Sequence, residues 1–139
     1  QIKNFLITNL VSQIILCRHL ITYLKRKDAG DIIFMGSEAA LAGKKNATLY
    51  STAKFGLRGF AQALRDEIRT SGVRVCLINP GLVRTPFFET LNFEPGQYEN
   101  NAIEPEDVAK IVIEILNTRA GTNIDEINLS PSSQLINFK

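Results

Sequence analysis

The sequence has little of what disulfide scaffolds and metal centres are made from: two cysteines and one histidine among 139 residues. Cys17 and Cys76 stand far apart in apolar segments, with no CxxC pair and no Cys/His cluster. They read as two reduced, packed thiols, which points to a reducing compartment. His19 has no Cys, Asp or Glu at ligand spacing and reads as structural, so no metal is expected. Neither sign of charge is in excess. Sixteen Lys and Arg stand against 14 Asp and Glu, a formal net charge of +2, with the basic residues dispersed. That excludes an extended nucleic-acid or anionic-lipid surface and names no charged partner. No apolar run reads as approaching the roughly 18 residues of a membrane span, and Gln1 to Asn9 has neither the basic n-region nor the cleavage site of a signal peptide. The expectation is a soluble, cytoplasmic protein that touches no membrane. Nine glycines and five prolines are too few for a collagen-like or low-complexity chain. What is present is an average globular composition, 45% hydrophobic and 22% charged. A chain of this length buries roughly two-thirds of its unfolded surface, and one domain over residues 1–139 is expected.

From Ile2 to Lys27, apolar residues such as Leu6, Leu10, Ile14, Cys17 and Ile21 recur every three or four positions, which predicts one long helix. Lys25, Arg26 and Lys27 suit its C-terminal end, with Gly30 as the stop. Asp31–Met35 is a short, nearly continuous apolar run and reads as a strand buried on both faces, ending at Gly36-Ser37. A second helix is predicted from about Tyr50 to Thr70, striped by Ala53, Leu57, Phe60, Leu64 and Ile68 and closed by Ser71-Gly72. Val73–Ile78 is the next strand, with Asn79-Pro80-Gly81 as a turn that ends its pairing. Leu82 to Ile103 has no helical or alternating period and is longer than an ordinary connection, the mark of a functional loop. Pro105, Glu106 and Asp107 open a third helix that runs to about Asn117. Ile124–Leu129 is a last strand, and the tail to Lys139 carries no pattern. Helices alternating with buried strands predict an α/β fold around an open parallel sheet, with its site at the carboxyl ends of the strands, near Ser37 and Asn79.

Tyr50 and Lys54 are four positions apart, so they share one face of the second helix. A nearby ammonium favours phenolate over phenol and suits a tyrosine to proton transfer. Three tyrosines and eight lysines meet at that spacing often enough by chance for the pair to carry little alone. The bland reading is a half-buried tyrosine beside a solvated lysine. Ser37 sits thirteen positions earlier, just past a strand end, where it is either a turn serine or a hydroxyl aimed at the phenol. Asn79-Pro80-Gly81, followed by Val83 and Thr85, is a third independent element.

Together, Gly36-Ser37, Tyr50-Ser51-Thr52-Ala53-Lys54 and the run from Val73 through Asn79-Pro80-Gly81 to Thr85 resemble the later part of a short-chain dehydrogenase/reductase. That family's pattern is a Ser, a YxxxK, and a strand ending in PG with a Thr soon after. Asn9, in Thr8-Asn9-Leu10, falls where the family carries an Asn in the helix before the Ser-bearing strand. The resemblance implies a partial Rossmann-like, doubly wound parallel sheet and an NAD(P)-dependent oxidoreductase that interconverts a carbonyl and a secondary alcohol. Residue by residue, it makes Tyr50 the general acid/base and Ser37 the hydrogen-bond donor to the substrate oxygen. Lys54 would bind the nicotinamide ribose and Asn9 would anchor a water linking Lys54 to solvent. Pro80 and Gly81 would shape the nicotinamide pocket, with Val83 and Thr85 at the carboxamide. The implied cofactor is NADP or NAD, with NADP favoured, and the hydride chemistry belongs to it.

The glycine-rich TGxxxGxG turn and the NNAG-like stretch of that family are not in these 139 residues. The expectation is therefore a piece of a longer enzyme, inactive by itself. Phe87, Phe88, Leu91, Phe93 and Tyr98 crowd residues 86–103, the family's variable substrate loop, where they either receive an apolar substrate or pack the loop down. The ending Glu126–Pro131 leans towards dehydrogenases of 3-hydroxy acids or small carbonyls, away from acyl-carrier-protein reductases. Gly56 and Gly59 weaken a helix unless another backbone approaches closely. The resemblance places a seam between subunits there, so a homodimer or homotetramer is expected. Two rivals stay open: a non-catalytic interaction or dimerisation module, and an epimerase or dehydratase relative.

Overall fold

The apolar stripe at the N-terminus forms one continuous helical rod, Ile2–Lys27, in the computed structural model, which describes residues 1–139. The rod has three parts: α1 (Ile2–Leu6), a π-helical turn (Ile7–Val11) and α2 (Ser12–Lys27). The sequence predicts a uniform helix; the widened turn is invisible to a 3.6-residue period, and it falls on the segment that holds Asn9. Leu10, Cys17, Ile21 and Leu24 of the rod pack on the main core cluster. The rod stops at Asp28, in the left-handed region at φ 50°, and not at Gly30. Asp is a tolerable cap here because its Oδ1 accepts from the Gly72 N–H at 2.7 Å, and Gly30 is left to open the first strand. One further expectation fails. The rod is long and apolar enough to cross a membrane by length and composition, with an 18-residue window of mean hydropathy 1.4. Thr8, Asn9, Ser12 and Gln13 break the apolar run to the eye but carry no charge.

Strands β1 (Gly30–Met35), β2 (Val73–Pro80) and β4 (Glu126–Leu129) make a parallel sheet in the order β1-β2-β4. β1 and β2 pair from Gly30↔Val73 to Met35↔Ile78, and β2 and β4 from Leu77↔Glu126 to Pro80↔Leu129. The central strand is buried on both faces from Val75 onward, as its apolar run Val75–Ile78 requires. Val73, Val75 and Leu77 face α2 and α3 (Thr48–Glu67), which supplies Leu57, Ala61 and Leu64. Cys76 and Ile78 face Ile111, Val112 and Ile115 of α4 (Pro105–Asn117) on the other side. The fold is thus the predicted α/β, with helices on both faces of a parallel sheet. Both thiols are free and buried.

The Asn79-Pro80 turn does not end pairing as expected, because Pro80 is still in register with Leu129. Towards β4 the donor is Gly81 N–H, which reaches Leu129 O at 2.8 Å, so the position where proline lacks an N–H faces the side where β1 has already ended. The 82–103 loop and the patternless tail also hold more structure than the sequence predicts. A short strand, β3 (Phe93–Pro95), pairs antiparallel with β5 (Ile136–Phe138), a contact between segments about forty residues apart that no local period can show. Lys139 reinforces it by donating to Phe88 O at 2.8 Å and approaching Glu94 at 3.4 Å. Arg84 ties the loop from inside, bonding Glu104 at 3.1 Å and the carbonyl of Tyr98 at 3.1 Å.

Candidate active site

Three backbone features converge at the carboxyl edge of the sheet. β1 ends at Met35, the chain turns at Gly36-Ser37 into a single 3-10 turn (Glu38–Ala40), and that turn packs against α3. Ser37 caps the turn: its Oγ accepts from Ala39 N–H at 3.1 Å, while its own N–H reaches the side chain of Asn79 at 3.3 Å. With Oγ accepting there, the hydroxyl proton remains free to serve as a donor.

Tyr50 and Lys54 lie in the first two turns of α3, both half-buried. The Lys54 Nζ stands 5.7 Å from the Tyr50 ring centroid and donates to Met35 O at 3.0 Å, so it links the helix to the end of β1. Burial pushes the Lys54 pKa below its ordinary value, since a desolvated ammonium is less stable than a hydrated one. Phe87 from the loop meets Tyr50 at 6.3 Å between ring centroids, and Phe88 and Phe93 continue the aromatic line inwards. Phe88 is buried and Phe87 exposed, so one ring packs the loop down and the other borders the site.

Asn9 sits in the π-turn, where its Nδ2 donates to Phe5 O at 3.0 Å and its own carbonyl accepts from Gln13 Nε2 at 3.0 Å. Those bonds stay within its helix and none joins Asn9 to Lys54. The turn does abut α3: a Cβ at Gly56 would come within 2.8 Å of Leu10. Gly59, expected at a close approach, faces open space. Pro80 is buried at the end of β2, and Gly81 occupies a gap in which a Cβ would lie 3.1 Å from Glu38 Oε2 and 3.2 Å from Pro131. Val83 forms an isolated parallel bridge with Ile103. Thr85 caps the Pro86–Phe88 turn, accepting from Phe87 N–H at 3.4 Å. The structure thus gathers Ser37, Tyr50, Lys54 and the Pro80-Gly81 end at one edge.

A sequence profile described as short chain dehydrogenase matches residues 1–95, more than half of the chain. The chain is a short-chain dehydrogenase/reductase. Among the relatives of this short-chain dehydrogenase/reductase, a sepiapterin reductase from Chlorobaculum tepidum is 31% identical over 126 residues, covering 91% of this chain and 50% of the relative. A 3-oxoacyl-[acyl-carrier-protein] reductase from Buchnera aphidicola is 35% identical over 119 residues, covering 81% and 49%. The closed form of a serine dehydrogenase complexed with NADP+ superposes with a TM-score of 0.78 at 28% identity, over 88% of this chain and 52% of that one. The chain therefore spans about half the length of the relatives it matches. These relatives are oxidoreductases.

Sequence reasoning passed over one group of residues. Asn79 reads as a turn former, yet its side chain is wholly buried and joins Ser37 to Glu126 and Asn128. The available signal was its place next to Pro80 in a strand whose every other residue is apolar or paired. Glu38, too, is more than the residue after Ser37: it accepts from Gln134 at 3.1 Å and lies 3.6 Å from Lys44, tying the C-terminal tail to the Ser37 turn.

Proposed function

We propose that the protein is an NAD(P)-dependent oxidoreductase that interconverts a carbonyl and a secondary alcohol, with Tyr50 as general acid/base. The observation that carries this reading is Lys54, a desolvated ammonium beside the Tyr50 ring at the carboxyl end of β1. The pair sets a positive charge beside the phenol whose proton would be exchanged.

The residues present fit the nicotinamide end of the dinucleotide. Lys54 uses one of its three N–H donors on Met35 O, which leaves two for ribose hydroxyls. Gly81 offers a gap that a Cβ would fill. Nothing in these 139 residues supplies a glycine-rich turn for the pyrophosphate, so the chain by itself is expected to bind the cofactor poorly. The nicotinamide, when bound, supplies or takes up the hydride. Ser37 donates its hydroxyl proton to the substrate oxygen and holds it near the phenol. Tyr50 gives a proton to that oxygen in reduction and removes it in oxidation. Pro80 and Gly81 would shape the floor of the nicotinamide pocket, Val83 and Thr85 would stand at the carboxamide, and Asn9 would anchor a water that links Lys54 to solvent. NADP is the favoured cofactor, in keeping with the NADP+ complex among similar structures.

Residues 86–103 form the substrate loop of this single partial Rossmann-like unit, and Phe87 is its wall against Tyr50. A hollow of about 800 Å³ lies elsewhere, between Tyr98–Glu104, the start of α4 and Leu129–Ser132. None of Ser37, Tyr50 and Lys54 lines it, so the site is read from side-chain chemistry and not from cavity size. The rival role as an interaction module rests on the exposed apolar row of the N-terminal rod and on Phe55 of α3. We assign that row to a homodimer or homotetramer of a soluble, cytoplasmic enzyme, a role that accompanies catalysis and does not replace it.

The test is titration of the longest natural form of the protein with NADPH and NADH, watching nicotinamide fluorescence, followed by turnover with ethyl acetoacetate as probe carbonyl. Saturable binding with consumption of the reduced cofactor is expected. Absence of binding overturns the reading and leaves the interaction module.

A further inference from the structure

We propose that Asn79, Glu126 and Arg58 form a positioning relay that holds Ser37 at the end of β1, an inference that rests on the role given to Ser37 above. The Asn79 side chain is wholly buried, and each of its polar atoms has a partner. Its Oδ1 accepts from Ser37 N–H at 3.3 Å, while its Nδ2 donates to Glu126 Oε1 at 2.7 Å and to Asn128 Oδ1 at 2.9 Å. The partners dictate the orientation of the amide. Two acceptors face its nitrogen and one donor its oxygen, so the reversed amide would break all three bonds.

Glu126 passes the restraint on. Its Oε2 accepts from Arg58 Nε at 3.2 Å, and Arg58 Nη1 donates to Ala40 O at 3.3 Å. The Ser37 turn is therefore gripped at both ends, at the Ser37 N–H by Asn79 and at the Ala40 carbonyl by Arg58, with Glu126 joining the two grips. Arg58 follows Lys54 by one helical turn on α3, so the relay also ties the turn to the helix that carries Tyr50. Gly36 is part of the arrangement: a Cβ there would overlap Asn79 Oδ1. A half-satisfied buried network is costly, and a complete one fixes a single geometry. Here that geometry aims the Ser37 hydroxyl.

The experiment uses the longest natural form of the protein and has two readouts. First, amide hydrogen exchange at Ser37 in Asn79→Ala is expected to rise about tenfold while amides in α4 stay within about twofold, because only the local acceptor is lost. Second, with NADPH and ethyl acetoacetate, Asn79→Ala and Arg58→Ala are each expected to lower kcat about 10- to 100-fold with little change in KM for NADPH, the scale of an outer-shell loss. In a Ser37→Ala background the same changes should cost less than about threefold, because the relay then has nothing to aim. Arg58→Lys, which keeps a donor, should recover part of the loss. If Asn79→Ala does not fold, Asn79→Ser and Arg58→Ala carry both readouts. Unchanged exchange at Ser37, or an equal loss in both backgrounds, overturns the relay. A protein that turns over no carbonyl overturns the functional reading instead, and the exchange result then decides the relay alone.

Discussion

The two halves of the candidate site are held in different ways. Ser37 is buried and fixed through its own backbone by Asn79 of β2, which is held in turn by Glu126 of β4, while Arg58 of α3 holds the far end of its turn. Tyr50 and Lys54 share one helix, are half-buried, and keep their relation by helical spacing, with a hydrogen bond to Met35 O and the Phe87 ring as outside contacts. The serine side thus depends on long-range polar contacts, whereas the tyrosine side depends on the period of a helix. Precision costs more sequence on the first side, and exposure to a ligand is greater on the second.

The comparison is broken most severely on the tyrosine side by Tyr50→Phe. General acid–base catalysis is worth about 10²- to 10⁴-fold, and kcat is expected to fall by that amount while fluorescence titration shows cofactor binding intact. Unchanged turnover would remove the phenol from the reaction. On the serine side the matching change is Gly36→Ala. Its methyl group would collide with Asn79 Oδ1, and since that oxygen belongs to a buried network it has nowhere to move. A loss of about 1–3 kcal/mol in denaturant unfolding is expected, with Ser37 displaced. A smaller effect sharpens the contrast. Phe87 is exposed and touches Tyr50 by its ring alone, so Phe87→Ala should leave stability within about 0.5 kcal/mol and raise KM for an apolar carbonyl without a large change in kcat.

The same contrast explains how much could be read in the sequence. Tyr50, Lys54, the Ser37 turn and the strand ending at Pro80 were legible because each is a local signal: a four-residue spacing, a strand followed by Gly-Ser, a run of apolar residues. Legible too were the alternation of helices and strands and its consequence, a parallel sheet. The relay was not. Asn79 and Glu126 are 47 positions apart, and Arg58 and Glu126 are 68, so their bonds exist only once the sheet has formed. The pairing of β3 with β5 was hidden for the same reason. The π-turn escaped because a helix that takes one extra residue per turn leaves the apolar stripe almost intact. The hydropathy of the rod was misjudged because uncharged polar residues interrupt a run without lowering its mean very far.

The finest distinction between regions lies at alkaline pH, where two buried groups pull stability in opposite directions. Burial holds the Lys54 pKa below its ordinary 10.5. Between its folded value and 10.5 the unfolded chain binds the extra proton, so stability rises with pH through that window, and below it the full cost of burying the ammonium is present. Cys76 lies against the other face of the sheet, and burial pushes its thiol from 9.0 up to about 11. Here the folded chain keeps a proton that the unfolded chain loses, so this contribution is complete below pH 9 and declines as pH rises towards 11. The two contributions therefore carry opposite signs at alkaline pH, and the Cys17 thiol, which burial also pushes up, acts in the same sense as Cys76. Lys54→Met should make Tm fall more steeply with rising pH than in the wild type, and Cys76→Ala should make it fall less steeply. Parallel curves for the two variants would mean that neither group is desolvated as its surroundings require, and the reading of Lys54 as a desolvated cation beside Tyr50 would fall with them.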